Sequence, residues 1–309
     1  MKFSELKNGL NHITFAIIKA EEKEGNNNRN YALLTCTDGS AQVEMRCWKT
    51  LKELHLPVPV VVSAEVEQQL YAGKISYILK DFSITCENPR EYTPHAPIDP
   101  KKAFEEIKHL VMGFKNEVYR TITFQLLVKN YYMFMMAPAA KKIHHNYENG
   151  LLYHEYRMLK MAQAIVSLYP DINEELLYSG ILLHDIGKIK ELTSDEYGTI
   201  DYTIEGNLLG HCIIGIQMID RESVLQGFTT PVGELEEVLL LKHLLASHHG
   251  ELEFGAITKP ATQEAMLLHE LDMMESQKWQ YEKAYTETEA GTLSEKLFGL
   301  GVKVYHSLN

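Results

Sequence analysis

Residues 181–190 read ILLHDIGKIK, an apolar run that stops on a histidine beside an aspartate. Burying either polar group without a partner costs roughly 1–3 kcal/mol or more, so a helix that ends this way on its inner side implies something held there. Other histidines fall in the same manner. In ENGLLYHEYRMLKMAQAIV a helical stripe through Leu151, His154, Met158 and Ile165 puts His154 on the inward face. Leu177, Ile181 and His184 form a second stripe, which brings His184 and Asp185 to the inner end of its helix. In GNLLGHCIIGIQMI, His211 lines up with Ile214 and Met218. In ELEEVLLLKHLLASHHG the stripe Val238, Leu241, Leu245 ends on His248, with His249 beside it, and in TQEAMLLHELDMMES Asp272 follows Ala265 and Leu268. One inward histidine is more often a hydrogen-bonded core residue. Five helices that each deliver histidine or aspartate from an apolar face satisfy one another most simply around metal ions. Imidazole nitrogen and carboxylate oxygen together suit manganese, iron, nickel or zinc.

The elements that must position these groups start near residue 101. From there a 3.6-residue periodicity dominates, and Asn173 is the expected N-cap of the helix before His184, with Gly187 expected to close that helix in a left-handed conformation. Residues 1–88 are different. HITFAIIKA, YALLTCTDGSAQVEMRCW and VVVSAEVEQQLYAGKISYILKDFSI carry β-branched and aromatic residues, broken by turn signals at Asp38-Gly39 and Ala72-Gly73. About five strands fit, with the polar EEKEGNNNRN as a loop. A small closed barrel such as an OB-fold is the economical arrangement of so few strands. Residues 89–100 hold four prolines and read as an extended linker. The expected fold class is therefore multidomain α+β: a small β-barrel (1–88), a proline-rich linker (89–100) and a helical domain (101–309).

Composition narrows the function. With 45% hydrophobic and 23% charged residues the chain is globular. No stretch approaches the roughly 18 uninterrupted apolar residues of a membrane helix, and the start lacks the plan of a signal peptide, so a cytoplasmic location without membrane partners is expected. The four cysteines, Cys36, Cys47, Cys86 and Cys212, show no CxxC pairing and read as reduced buried thiols. The net charge of −12 argues against a large nucleic-acid surface, but divalent metals supply positive charge where it is needed. The acidity also sits downstream: to Glu87 there are ten Lys and Arg against eleven Asp and Glu, and beyond it 20 against 31. Trp48, Tyr31, Tyr71, Tyr77 and Phe82 are candidates to stack bases on the barrel, or else to fill it.

The order H…HD…H…HH…D resembles that of the HD-domain metal-dependent phosphohydrolases. The segments HHNYENGLLYH, LLHDIGK, GHCIIG, LKHLLASHHG, PATQEAMLLHELD and TLSEKLFGLGVKVYHSL are similar to the successive signatures of the YhaM-type 3′-to-5′ exoribonucleases. Those proteins join an N-terminal OB-fold to an HD domain, and the resemblance covers essentially the whole chain. One departure is NGLLYH, where the family usually has a second glycine and a glutamate before the histidine.

The resemblance implies a metal-dependent exonuclease that shortens single-stranded RNA from its 3′ end, with single-stranded DNA and a second copy of the chain as further candidate partners. It implies a divalent cofactor, manganese first. One or two ions would be held: His154, His184, Asp185 and Asp272 alone complete a site for one, and with two Asp185 would bridge an ion on His154, His184 and Asp272 and an ion on His211, His248 and His249. Lys188, one turn after His184, could reach a substrate phosphate, and His144 and His145 could touch the scissile phosphate or terminal ribose. His243 and His269, a turn from ligands, would support them or else simply be exposed. The competing readings are an HD hydrolase of nucleotides or cyclic dinucleotides, and a non-catalytic single-strand-binding module.

Overall fold

The computed structural model of the chain describes residues 1–25, 29–71, 74–141, 145–195, 200–230, 233–297 and 299–308. The chain opens with β1 (Gly9–Glu24), β2 (Asn30–Thr37) and β3 (Gln42–Cys47), a short helix α1 (Leu51–Leu54), then β4 (Val60–Tyr71) and β5 (Lys74–Ile84). These five strands close into a barrel in the order β1-β2-β3-β5-β4. Its only parallel pairing among the described residues joins β3 to β5 through Met45–Tyr77 and Arg46–Ile78. Alternate residues of each strand point inward, so Ile13, Phe15, Ile17, Leu34, Met45, Val62, Val66 and Leu79 form its core. Closure leaves no barrel edge to be protected.

Two sequence expectations change here. The stretch Glu21 to Glu24, read as loop, continues β1 and pairs with β2 from Glu21–Leu33 to Glu24–Asn30. A projecting two-stranded ribbon needs no buried face, and its charges pair with each other, Lys19 and Lys23 both reaching Glu21 at 2.6 and 2.7 Å. The proline-rich stretch is pinned rather than loose. Its 3-10 turn Pro89–Tyr92 receives the Thr37 hydroxyl on the Tyr92 carbonyl (2.6 Å), and the Ala96 N–H donates to Glu148 O (2.9 Å). The turn signal at Ala72-Gly73 lies outside the described residues.

The helices are α2 (Pro100–Met112), α3 (Glu117–Lys129), α4 (Tyr131–Met136), α5 (Gly150–Ile165), α6 (Glu174–Leu183), α7 (Lys188–Glu191), α8 (Ile204–Gln226), α9 (Glu236–Ser247) and α10 (Gln263–Glu287). Their starts follow capping chemistry: Asp99, Asn173, Thr203 and Thr262 each accept a hydrogen bond from an N–H of the first turn. They share one core, separate from the barrel's, built on Leu151, Met158, Ile181, Ile214, Leu241, Leu245, Leu268 and neighbours. Each such side chain contributes about 1.5–3 kcal/mol by burial. That packing fixes the rotation of every helix, and with it the direction in which the interleaved histidines point.

Close backbone approach sets the local details. Gly187 does not end α6 in a left-handed conformation, as expected; it is right-handed (φ −62°) and α6 already stops at Leu183. Glycine is required because a Cβ there would lie 2.0 Å from the carbonyl oxygen of His211. Helix α8 is broken at Gly210 (φ 72°, ψ 157°), a conformation open essentially to glycine alone. The break starts a fresh helical segment at His211.

Candidate metal centre

Four histidines from four helices share one arrangement. His154 Nδ1 donates to Glu275 Oε2 (2.7 Å), His184 Nδ1 to Ile181 O (2.9 Å), His211 Nδ1 lies 3.1 Å from Glu191 Oε1, and His248 Nδ1 donates to Leu245 O (2.8 Å). Carboxylates and carbonyls only accept, so each Nδ1 carries the proton and each Nε2 is turned to the interior of the site. There the Nε2 atoms meet two carboxylates. His154 Nε2 lies 3.3 Å from Asp272 Oδ1, His184 Nε2 3.4 Å from Asp185 Oδ2, and His211 and His248 Nε2 3.3 and 3.8 Å from Asp185 Oδ1. His249 completes the cluster, its ring centroid 4.1 Å from His248 and 5.2 Å from His211. All seven residues expected to hold metal are thus brought together around Asp185.

The site is recessed. His154 and His184 are fully buried and Asp185 and His248 nearly so, whereas His211 and Asp272 keep 13% and 17% of their side-chain surface and mark the side that opens to solvent. Electrostatics divides the rings. Burial opposes charge on His154, but Asp272 and Glu275 outweigh it and lift its pKa to about 10. Burial likewise opposes charge on His211, and Cys212, Glu191 and Asp185 lift it to about 10. Burial, with His184 and His249 nearby, holds His248 well below the usual imidazole range. Asp185 is ionised: burial disfavours its charge, but Lys188, His184 and His211 hold its pKa well below the usual carboxylate value.

These donors fit a divalent ion. His184 Nε2, His248 Nε2 and Asp185 Oδ1 are buried without a hydrogen-bond partner among the described residues, a cost that coordination removes. Ligand atoms of His154, His184 and Asp185 lie within 4.8 Å of one another, as do those of His211, Cys212, His248 and His249. When bound, a divalent ion here supplies Lewis acidity, lowering the pKa of a coordinated water toward about 7 and offsetting phosphate charge. The protein's part is to fix nitrogen direction and to exclude bulk water from the recess.

Lys188 projects into the site, with Nζ 2.5 Å from Asp185 Oδ2. His145 is corrected. It is fully buried behind His154, with Nε2 on Glu275 Oε1 (2.8 Å) and Nδ1 on the Tyr147 hydroxyl, so both ring nitrogens are committed and neither is left for a phosphate. His144 falls outside the described residues. His269 supports a ligand, Nδ1 donating to the His248 carbonyl (2.7 Å), and His243 Nε2 accepts the Ala261 N–H (2.9 Å).

Sequence reasoning missed four groups. Glu275, fully buried, binds His154, His145 and, at 3.0 Å, Arg157 Nε. Glu191 holds both the Nδ1 and the backbone N–H of His211. Glu155 is fully buried with both carboxyl oxygens unpartnered among the described residues, and burial, with Asp185 nearby, pushes its pKa well above the usual carboxylate range. Cys212, expected as a buried thiol, lies in this cluster. The signals were faint: Glu275 stands three residues after Asp272 on the same helix face.

On the barrel, Trp48 is 63% exposed beside Tyr31, ring centroids 5.4 Å apart. That pair offers an open aromatic surface. Tyr77 instead packs on Phe3 (6.2 Å), and it and Phe82 pack against the barrel core. Both therefore take the filling alternative. The Tyr71 side chain lies outside the described residues.

No helix among the described residues is long and apolar enough to cross a membrane. The HD-domain family profile matches residues 151–276, the span from α5 to the Glu275 region of α10. The chain is 33% identical over 303 residues to the 3′-5′ exoribonuclease YhaM of Listeria monocytogenes strain EGD-e, covering 95% of this chain and 94% of that protein. It is equally 33% identical over 293 residues to the protein of that name from Bacillus velezensis strain FZB42, covering 93% and 91%. No solved structure matches it. With identity at this level running from the barrel through the histidine cluster, the chain belongs to the YhaM family.

Proposed function

We infer that this protein is a metal-dependent 3′-to-5′ exoribonuclease, hydrolysing phosphodiester bonds at the 3′ end of single-stranded RNA. The observation that carries the reading is the convergence of four Nδ1-anchored histidines on Asp185 and Asp272 in a recess, on a chain whose relatives bear the exoribonuclease name. Manganese is the proposed working ion, with iron, nickel and zinc as alternatives for the same nitrogen and oxygen donors. Single-stranded DNA is proposed as a poorer substrate and the cytoplasm as the location.

The residues divide the work. With its donors this deeply buried, the site suits a single-stranded chain end rather than a duplex. Lys188, held by Asp185 at 2.5 Å, would present its ammonium to a phosphate oxygen. The barrel, residues 1–88, grips the strand through Trp48 and Tyr31, and the helical part, 101–309, carries the chemistry.

The test is a hairpin RNA with a long 3′ tail, incubated with the protein and manganese beside the same hairpin with a 5′ tail. Only the 3′ tail is expected to shorten, releasing mononucleotides and leaving a stub of a few nucleotides at the duplex. Cleavage inside the loop, or equal trimming of both tails, overturns the reading in favour of an endonuclease or a small-nucleotide hydrolase.

A further inference from the structure

The cluster's two halves differ in chemistry. His154, His184, Asp185 and Asp272 offer two nitrogens and two carboxylates. The other half is built from two consecutive pairs, His211-Cys212 at the start of the segment after the Gly210 break and His248-His249 at the end of α9. Cys212 is buried, 6% exposed, with Sγ 3.6 Å from His211 Nε2, and the four donor atoms lie within 4.8 Å of one another. In the same four residues, His248 Nε2, in a side chain 1% exposed, and His249 Nδ1 are both buried without a hydrogen-bond partner among the described residues. Helices α8 and α9 come this close because position 215 is glycine: a Cβ there would lie 2.9 Å from Leu245 Cδ2.

We propose that His211, Cys212, His248 and His249 form a thiolate-containing, zinc-type metal position, chemically distinct from the carboxylate-rich position held by His154, His184, Asp185 and Asp272. The proposal rests on the metal-centre reading above and deepens it. Three imidazoles and one thiolate make a four-donor set of the kind that takes zinc or cobalt in tetrahedral geometry, whereas carboxylate-rich donors suit manganese or iron. The protein then holds two unlike ions side by side, with Asp185 Oδ1, 3.3 Å from His211 Nε2, facing both. Cys212 is a structural thiol only if no ion reaches it.

The test is a titration of the metal-stripped full-length protein with cobalt(II) under reducing conditions. The expected result is a near-ultraviolet sulfur-to-cobalt charge-transfer band, with intense visible absorption of a tetrahedral ion. In Cys212→Ser the band should vanish while circular dichroism is retained, and zinc affinity at that position should fall by about 100-fold or more, beyond the roughly 10–100-fold that loss of a ligand's outer partner costs. Cys86→Ser, at the exposed cysteine, should keep the band. On the unmutated zinc-loaded protein, X-ray absorption should find a sulfur neighbour at about 2.3 Å. Cobalt bound without the band, a band that survives Cys212→Ser, or a zinc shell without sulfur overturns the thiolate position and leaves the metal centre standing. If no cobalt binds at all, both readings fall.

Discussion

His154 Nδ1 and Glu275 Oε2 lie 2.7 Å apart, and both side chains are fully buried. The carboxylate sets the ring's tautomer and direction, and it holds His145 and Arg157 as well. Glu275→Gln is therefore expected to weaken metal binding by roughly 10–100-fold, with activity regained at high metal. Calorimetric titration of the stripped protein checks this, and an unchanged affinity would remove Glu275 from the centre.

Lys188 neutralises Asp185 through Oδ2 while Oδ1 is left to an ion, so the ammonium and the ion compete for the charge of one carboxylate. Lys188→Met should therefore tighten metal binding and yet lower turnover on RNA, by about 10²–10³-fold if the ammonium stabilises developing phosphate charge. Opposite signs in the two measurements are the diagnostic. Weaker metal binding in Lys188→Met would mean that the lysine orders Asp185 rather than competing for it.

Gly187 touches the His211 carbonyl, so Gly187→Ala must push α7 away from α8 or strain both. The expected loss is at least about 1–3 kcal/mol of stability, together with impaired metal binding. Gly227, at φ 76° with nothing within 4 Å of its would-be Cβ, is the comparison: Gly227→Ala should cost only about 1 kcal/mol and spare the metal. Urea denaturation of both variants decides, and equal effects would show that the contact at Gly187 is slack.

Trp48→Ala should weaken single-stranded RNA binding by about 1–3 kcal/mol while leaving hydrolysis of a small phosphodiester ester untouched. Fluorescence anisotropy with a labelled oligonucleotide measures the first and a chromogenic ester the second. If both drop together, the barrel acts on the catalytic centre and not only on the strand.

Much of this was legible in the sequence because helical period and metal-ligand chemistry reinforce each other. His154, His184, His211 and His248 each sit on an apolar stripe, and the packing of Leu151, Ile181, Ile214 and Leu245 turns them inward. The barrel was legible from the β-branched and aromatic residues of β1 to β5 and the turn signals between them. Illegible were the groups behind the ligands. Glu275 and Glu191 are the residue type of a solvated surface, and only the approach of α10 to α5, or of α7 to α8, buries them. Gly187 looked like a helix stop, since a close contact with a residue 24 positions later leaves no local mark. His145 looked available to substrate for the same reason: its partners Tyr147 and Glu275 take it up only in the folded protein.

The donors are also spread along the chain, Asp272 following His154 by 118 positions. At the ~5–20 residues per second of protein synthesis, roughly 6–24 s separate the two at the ribosome. Until α10 emerges and docks, His154 lacks both Asp272 and Glu275, and the cleft has no far wall. The ring made first is thus held by neither of the two carboxylates that flank it in the folded protein.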